Sequence, residues 1–248
     1  MALRREQAKI KILFISPTGT LSSGGEKSNY QLITYLIKNN FKVKVITSFR
    51  GDYNKTLTKS GIDNRPGNYN WWTDRRWDRP EVTSVRSLHG VGVIYDEIRK
   101  YDPAVVITNT LNIPWGALAA AMANKPHIWI AREFPRDSFA YLDKKLDFIK
   151  KISNRIAANS EELANFIARE YDCSVSRFYS FVDATKISLN PDITETRLIS
   201  LNYVNDRKNQ IELLKAVRIL KQRKKLDDTK VLLVGGQDEV YTAKLQLF

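Results

Sequence analysis

The stretch Ile10-Lys-Ile-Leu-Phe-Ile-Ser-Pro-Thr-Gly-Thr-Leu-Ser-Ser-Gly-Gly-Glu26 joins an apolar run to a loop that contains glycine. The run Ile10–Ser16 is nearly continuously apolar, which is typical of a strand buried on both faces of a parallel sheet. A helix is predicted over Glu26–Lys38, because its apolar residues recur at i, i+3 and i+7. A strand, a glycine loop and a helix in this order predict an α/β fold.

The same alternation of apolar runs and helical periods continues along the chain. It predicts further helices over Ser160–Tyr171 and Lys208–Lys221. Polar residues around Asn190-Pro191 indicate a domain boundary, which we place between residues 185 and 186. The further predicted strands are Lys42–Thr47, Ala104–Thr108, His127–Ala131, Arg155–Ala158, Arg177–Phe181, Arg197–Leu201 and Lys230–Val234.

The composition restricts the class of protein and the kind of partner. The 40 Lys and Arg outnumber the 27 Asp and Glu, giving a net charge of +13. This excess favours a polyanionic partner, which could be a nucleic acid, an anionic membrane surface or a phosphorylated small molecule. A single cysteine, Cys173, excludes an intrachain disulfide framework and a cysteine-based zinc site, so we expect a reducing, cytoplasmic compartment.

The loop before the first helix is a candidate phosphate site. Gly24 and Gly25 would let backbone N–H groups approach a phosphate at the positive end of the helix, and Glu26 could accept from a hydroxyl or cap the helix. The spacing matches neither the dinucleotide fingerprint nor the P-loop, and no acidic residue follows the second strand, which disfavours a nicotinamide enzyme. The alternative is a turn that uses glycine only for its backbone freedom.

Two other segments are candidate contacts to a ligand. Arg207 and Lys208 stand at the predicted start of a helix, where cations are unfavourable unless an anion binds there; the alternative is a pair of solvated surface charges. The segment Arg50–Pro80 is predicted to be irregular, with aromatic residues that could stack on bases, sugars or lipid headgroups, or pack inward. Its relevant side chains are Trp71, Trp72, Arg75, Arg76 and Trp77.

A set of short motifs occurs in order between about Lys11 and Gly236. They are Gly24-Gly25-Glu26, Asp102-Pro-Ala-Val-Val-Ile107, Lys125-Pro126, Ile156-Ala-Ala-Asn-Ser160, Val182-Asp183, Arg207-Lys208 and Leu233-Val-Gly-Gly236. In this order the chain resembles the retaining sugar-nucleotide glycosyltransferases of glycosyltransferase family 4. The resemblance implies a GT-B-like fold, with a complete N-terminal Rossmann-like domain at 1–185 and the first part of a second Rossmann-like domain at 186–248.

The resemblance also implies an activity and a set of site residues. The reaction would move a sugar from a nucleotide-diphosphate sugar to a glycan or lipid-linked acceptor, with retention, and would require no metal or other cofactor. Arg132 and Glu133 stand where the family often has a histidine that faces the sugar, and are the candidate catalytic residues. The donor diphosphate would be bound by Gly24, Gly25, Arg207 and Lys208.

Departures from the family pattern leave alternatives open. Ser200-Leu201-Asn202 replaces the usual Gly-Arg before the basic pair, and the sequence ends before the base pocket and a late pair of glutamates. A chain without them is expected to bind donor poorly and to be inactive alone. It would be either a shortened form of a full transferase or a non-catalytic, glycan-binding partner. A nucleic-acid-binding protein is disfavoured, since neither an aromatic RNP strand nor a basic helix is present.

The resemblance and the basic surface together suggest polysaccharide assembly at the inner face of a membrane. Glu26 and the tryptophan-arginine segment would there contact the acceptor or anionic headgroups. His89 and His127 are expected to be structural, because neither has a carboxylate or cysteine nearby in sequence.

Overall fold

The fold is taken from a computed structural model of the chain, and the structure describes residues 9–72, 80–188, 197–226 and 229–246. The chain divides into two compact units, Met1–Val182 and Asp183–Phe248. Among the described residues, no helix combines the length and the apolar character needed to cross a bilayer.

The first unit is built on seven parallel strands. They are β1 (Lys11–Ser16), β2 (Lys42–Thr47), β3 (Asp63–Pro66), β4 (Val105–Asn109), β5 (His127–Ala131), β6 (Arg155–Ala158) and β7 (Val175–Arg177). Their order in the sheet is β3-β2-β1-β4-β5-β6-β7. The order reverses between β1 and β4, and ligands of open α/β sheets bind outside the carboxyl ends of the strands at such a point.

Helices cover both faces of this sheet. They are α1 (Gly24–Lys38), α2 (Asp52–Lys59), α3 (Pro80–Tyr101), α4 (Trp115–Met122), α5 (Leu146–Ile152) and α6 (Glu161–Tyr171), and a 3-10 helix at Asp137–Lys145 precedes α5. Leu13 of β1 packs in one core with Ile94 of α3, whereas Phe14 packs in another with Ile33 of α1. The α/β class and the doubly covered parallel sheet are therefore confirmed.

Two predicted boundaries in this unit are wrong. The segment Arg50–Pro80 is not irregular throughout, since it contains α2 and β3. The predicted strand at Arg177–Phe181 is instead the short edge strand β7, which ends at Arg177. Both errors concern the edges of the sheet, where a strand needs only one partner and an apolar run is a weaker signal.

The second unit is a smaller βαβα arrangement. It contains β8 (Arg197–Leu201), α7 (Gln210–Gln222), β9 (Lys230–Val234) and α8 (Glu239–Leu245), with β8 and β9 parallel. Val204, Tyr241 and Leu245 form its buried core. A 3-10 turn occupies Ala184–Lys186.

Candidate functional site

The glycine pair opens α1, directly after β1. Ser23 is the N-cap, and its Oγ accepts from the backbone N–H of Gly25 at 3.1 Å and of Glu26 at 3.5 Å. The same hydroxyl donates to a carboxylate oxygen of Glu26, whose side chain is buried. Glu26 thus accepts from a hydroxyl, as one of its two predicted roles requires, although that hydroxyl belongs to the N-cap Ser23, and its carboxylate places a negative charge at the positive end of the helix dipole.

Neither the packing nor the backbone of α1 explains why residues 24 and 25 are glycines. A Cβ on Gly24 would meet no atom within 4 Å, and one on Gly25 would make only ordinary contacts, with Ser23 Oγ at 3.4 Å and Arg132 Cδ at 3.5 Å. Neither has a positive φ. Gly19 in the same loop differs, since its Cβ would lie 2.0 Å from the Phe49 carbonyl oxygen. Glycine disfavours helix formation, so two in the first turn without an internal reason point to an external one.

Arg132 approaches this helix end from the loop after β5. Its Nε donates to Asn109 Oδ1 at 2.6 Å, and Nη1 donates to Ser28 Oγ at 3.4 Å. Its Nη2 is buried and has no hydrogen-bond partner among the described residues. Burial lowers the pKa of Arg132 while Glu133 and Glu26 act to raise it, and a guanidinium stays charged under such conditions. A fixed positive charge therefore lies beside the N-terminus of α1.

Glu133 points into the loop that follows β4. Its carboxylate accepts from the Thr110 hydroxyl, from the backbone N–H of Leu111 at 3.2 Å and from Asn112 Nδ2 at 3.3 Å. Burial raises the pKa of Glu133, and these hydrogen bonds oppose that shift. Through these contacts the Glu133 carboxylate connects the loop after β4 to the loop after β5. A direct part for Glu133 or Arg132 in a reaction stays a prediction.

Further polar side chains lie buried at the same edge of the sheet. Ser16 Oγ at the end of β1 is enclosed without a hydrogen-bond partner among the described residues, whereas the buried Asn29 side-chain amide in α1 and the Tyr53 hydroxyl in α2 lie within hydrogen-bonding range of each other. Burial raises the pKa of Tyr53, on which the charges of Glu26 and Arg132 also act. Buried unpaired polar atoms are costly and occur often at functional sites. Sequence reasoning missed these residues, because they belong to three different elements and no local motif joins them.

The tryptophans of the predicted aromatic segment pack against the domain. Trp71 Nε1 donates to the Pro17 carbonyl at 3.0 Å, and Trp72 Nε1 donates to the Leu111 carbonyl at 2.8 Å. The Trp72 ring is also parallel to that of Trp129, with centroids 6.4 Å apart. Of the two alternatives predicted for this segment, inward packing is the one observed for Trp71 and Trp72, whose side chains are half-buried. Contact with an acceptor or a membrane stays a prediction, and Arg75, Arg76 and Trp77 lie outside the described residues.

In the second unit, the basic pair lies in a turn and not in a helix. The helix α7 begins at Gln210 rather than at the predicted Lys208, because Asn209 adopts a left-handed conformation with φ of 52°. Arg207 and Lys208 are both exposed, and the Lys208 N–H donates to Asn205 Oδ1 at 3.0 Å. Because Arg207 and Lys208 do not stand in a helix, the expectation that an anion offsets their repulsion by the helix dipole is weaker. Diphosphate binding by this pair stays a prediction.

Comparison with known proteins establishes the fold. No protein-family model matches the sequence, and no curated protein matches it. Among solved structures, HepE from Anabaena, crystallised with UDP and glucose, has a TM-score of 0.75 at 15% identity, covering 96% of this chain and 65% of that one. A glycosyltransferase from Rickettsia africae has a TM-score of 0.67 at 19% identity, covering 97% and 64%.

The same fold also carries a different activity. A UDP-N-acetylglucosamine 2-epimerase from Rickettsia bellii has a TM-score of 0.53 at 14% identity and covers 96% of this chain and 72% of that one. Such low identities speak to the fold, and function has to be argued from the site. This chain spans less than two thirds of the length of HepE and of the Rickettsia africae glycosyltransferase. The expected GT-B-like fold, shared with solved glycosyltransferases, is thus confirmed.

Proposed function

We propose that this chain functions in a retaining glycosyltransferase of the family 4 type. Such an enzyme moves a sugar from a nucleotide-diphosphate sugar to a glycan or lipid-linked acceptor. The carrying observation is the open face of Gly24 and Gly25 beside the Arg132 guanidinium, at the reversal point of the sheet. The N-terminus of a helix is a positive dipole end that favours anions, and in α1 the Ser23 hydroxyl already accepts from the Gly25 and Glu26 N–H groups. Absence of side chains there lets a diphosphate approach the backbone itself.

The chemistry follows from where negative charge develops. As the bond between the anomeric carbon and the diphosphate breaks, the leaving oxygen becomes more negative. The N-terminus of α1 and the Arg132 guanidinium are held in place before the reaction, so they stabilise this charge without reorganisation. Retention requires the acceptor hydroxyl to attack from the face that the diphosphate leaves. Work on cell-surface polysaccharide at a membrane is the setting we propose.

The test compares two glycines that the fold treats alike. Gly24 in α1 and Gly92 in α3 are both helical, and a Cβ on either meets no atom within 4 Å. Replacing each by alanine should leave the protein as stable or raise its stability by up to about 1 kcal/mol. Only Gly24→Ala should weaken the binding of UDP, UDP-glucose and inorganic pyrophosphate, measured by ligand-observed NMR.

Other outcomes would contradict the proposal at different points. If Gly24→Ala and Gly92→Ala bind UDP, UDP-glucose and pyrophosphate with equal affinity, the glycine pair is not part of the diphosphate site. If a transferred product forms, NMR of its anomeric centre decides between retention and inversion. Conversion of a free UDP-sugar to its epimer, with no acceptor present, would instead favour the activity named for the epimerase neighbour.

A further inference from the structure

A second concave surface lies beside the candidate site, between α1 and the residues that follow β7. It has a volume of about 310 Å³ and is lined by Ser28, Leu32, Tyr35, Phe178, Tyr179, Ser180 and Phe181. All of these residues belong to the first unit, and none is charged. We call this surface the aromatic groove.

Several aromatic side chains of the groove are exposed next to one another. Tyr35 is 53% exposed, Phe181 43% and Tyr179 63%, and the rings of Tyr35 and Phe181 meet edge to face at 5.7 Å. Contiguous exposed apolar surface of this kind is a common mark of a binding site. The hydrogen bond from Ser28 Oγ to Ser180 Oγ at 2.8 Å joins the two walls of the groove.

One end of the groove is continuous with the Arg132 site. Ser28, which lines the groove, also accepts from Arg132 Nη1 at 3.4 Å. Phe178, which lines the opposite wall, has its ring centroid 5.8 Å from the Arg132 guanidinium carbon. A molecule lying in the groove would therefore be surrounded by uncharged, largely aromatic side chains along its length and would meet a half-buried cation at its end.

We propose that the aromatic groove binds the alkyl or isoprenoid chain of a phosphate-linked acceptor, with the phosphate directed toward Arg132. This inference rests on the proposed function, since the occupant is the acceptor of that same site. An amphiphile with an anionic head and an apolar tail fits the combination of one cation and an uncharged lining. A nucleotide base or a free sugar could stack on one ring, but neither has a long apolar tail to fill the rest of the groove.

The experiment measures binding of ethyl, butyl, hexyl and octyl phosphate by isothermal titration calorimetry, below their micelle concentrations, with inorganic phosphate as the reference. Affinity should rise with length, by up to about fourfold for each methylene that becomes fully buried. Phe181→Ser and Tyr35→Ser, both at exposed positions, should abolish this gain and leave the weaker binding of ethyl phosphate. Ile37→Ser is the matched control, since Ile37 is 38% exposed on the same helix and does not line the groove.

Three results would overturn the inference. Affinity that is independent of chain length would show that the groove binds no tail. An equal gain in Phe181→Ser and wild type would place the tail elsewhere. A dimer that dissociates on Phe181→Ser, seen by sedimentation, with no length dependence, would show a second copy of the chain to be the occupant.

Parallel titrations with UDP separate this inference from the proposed function. Phe181→Ser should leave UDP affinity unchanged. If the wild-type protein binds UDP but shows no dependence of affinity on chain length, the groove proposal alone is overturned. Intact length dependence in a protein that binds neither UDP nor UDP-glucose overturns the donor assignment and leaves an amphiphile site.

Discussion

His127 should make the fold sensitive to mild acid. It opens β5, is only 1% exposed, and its ring nitrogens lie 2.8 Å from Thr108 Oγ1 and 3.1 Å from Ser153 Oγ. No carboxylate is among these partners. Burial lowers the pKa of His127 from 6.5 to about 3, because the charged imidazolium would lose its hydration there.

The sign and size of the effect follow from proton linkage. Between pH 6.5 and about pH 3, the unfolded chain carries a proton on His127 that the folded protein does not, so stability falls as the pH is lowered through this window. Each pH unit within the window costs about 1.4 kcal/mol. From pH 7.5 to pH 5.0, the loss due to this one side chain amounts to about 2 kcal/mol.

The assay is urea unfolding of wild type and His127→Gln at both pH values. Relative to His127→Gln, the free energy of unfolding of the wild type should be about 2 kcal/mol lower at pH 5.0 than at pH 7.5, because glutamine takes up no proton. Comparison with the variant cancels the contribution of Glu133, whose raised pKa acts in the opposite direction. His89→Gln, at an exposed position on α3, is the control. A difference that stays constant between the two pH values for His127→Gln would refute a buried, neutral imidazole.

Four further substitutions probe the fold and the site. Glu97→Gln should lower the free energy of unfolding, measured in urea, by about 3 kcal/mol, because the buried Glu97 carboxylate lies 2.5 Å from Lys44 Nζ. Glu170→Gln, which changes an exposed ion pair, should lower it by less than about 1 kcal/mol. Ser160→Ala should lower stability by about 1 kcal/mol, since its Oγ caps α6 through the Leu163 N–H at 3.1 Å. Arg132→Lys should weaken pyrophosphate binding in calorimetry by about tenfold, because lysine loses the planar fork that now bonds Asn109 and Ser28.

The sequence predicts those parts of the fold in which burial on both faces leaves an unmistakable pattern. β1 and β5 are nearly all apolar and were predicted within a residue of their observed bounds. β3 reads Asp-Asn-Arg-Pro, and its place at the sheet edge depends on backbone bonds to β2 that no side-chain pattern records. The helix α2 was missed for a related reason, since it is mostly polar and buries only one narrow face.

Site residues divide in the same way between local and tertiary signals. The pair Gly24 and Gly25 could be found from the sequence, because adjacent glycines after a buried strand are a local signal. The neighbourhood of Asn29, Tyr53 and Arg132 could not, since these residues come from different elements and meet only when the sheet forms. The aromatic run after Arg177 was visible in the sequence, but its apolar character favoured a strand over the exposed wall of a groove.

The position of the site follows from the topology more than from any single motif. Parallel strands end at one edge, and the reversal between β1 and β4 leaves the helix that follows β1 and the loop that follows β5 facing a common space. Helix α1 therefore contributes to two surfaces at once: its first turn offers the positive end of the helix dipole to an anion, and its next turns line the aromatic groove. Ser28 and Arg132 connect the two surfaces. A donor diphosphate and a lipid phosphate would then bind beside the same helix, which would place the leaving group and the acceptor within reach of each other.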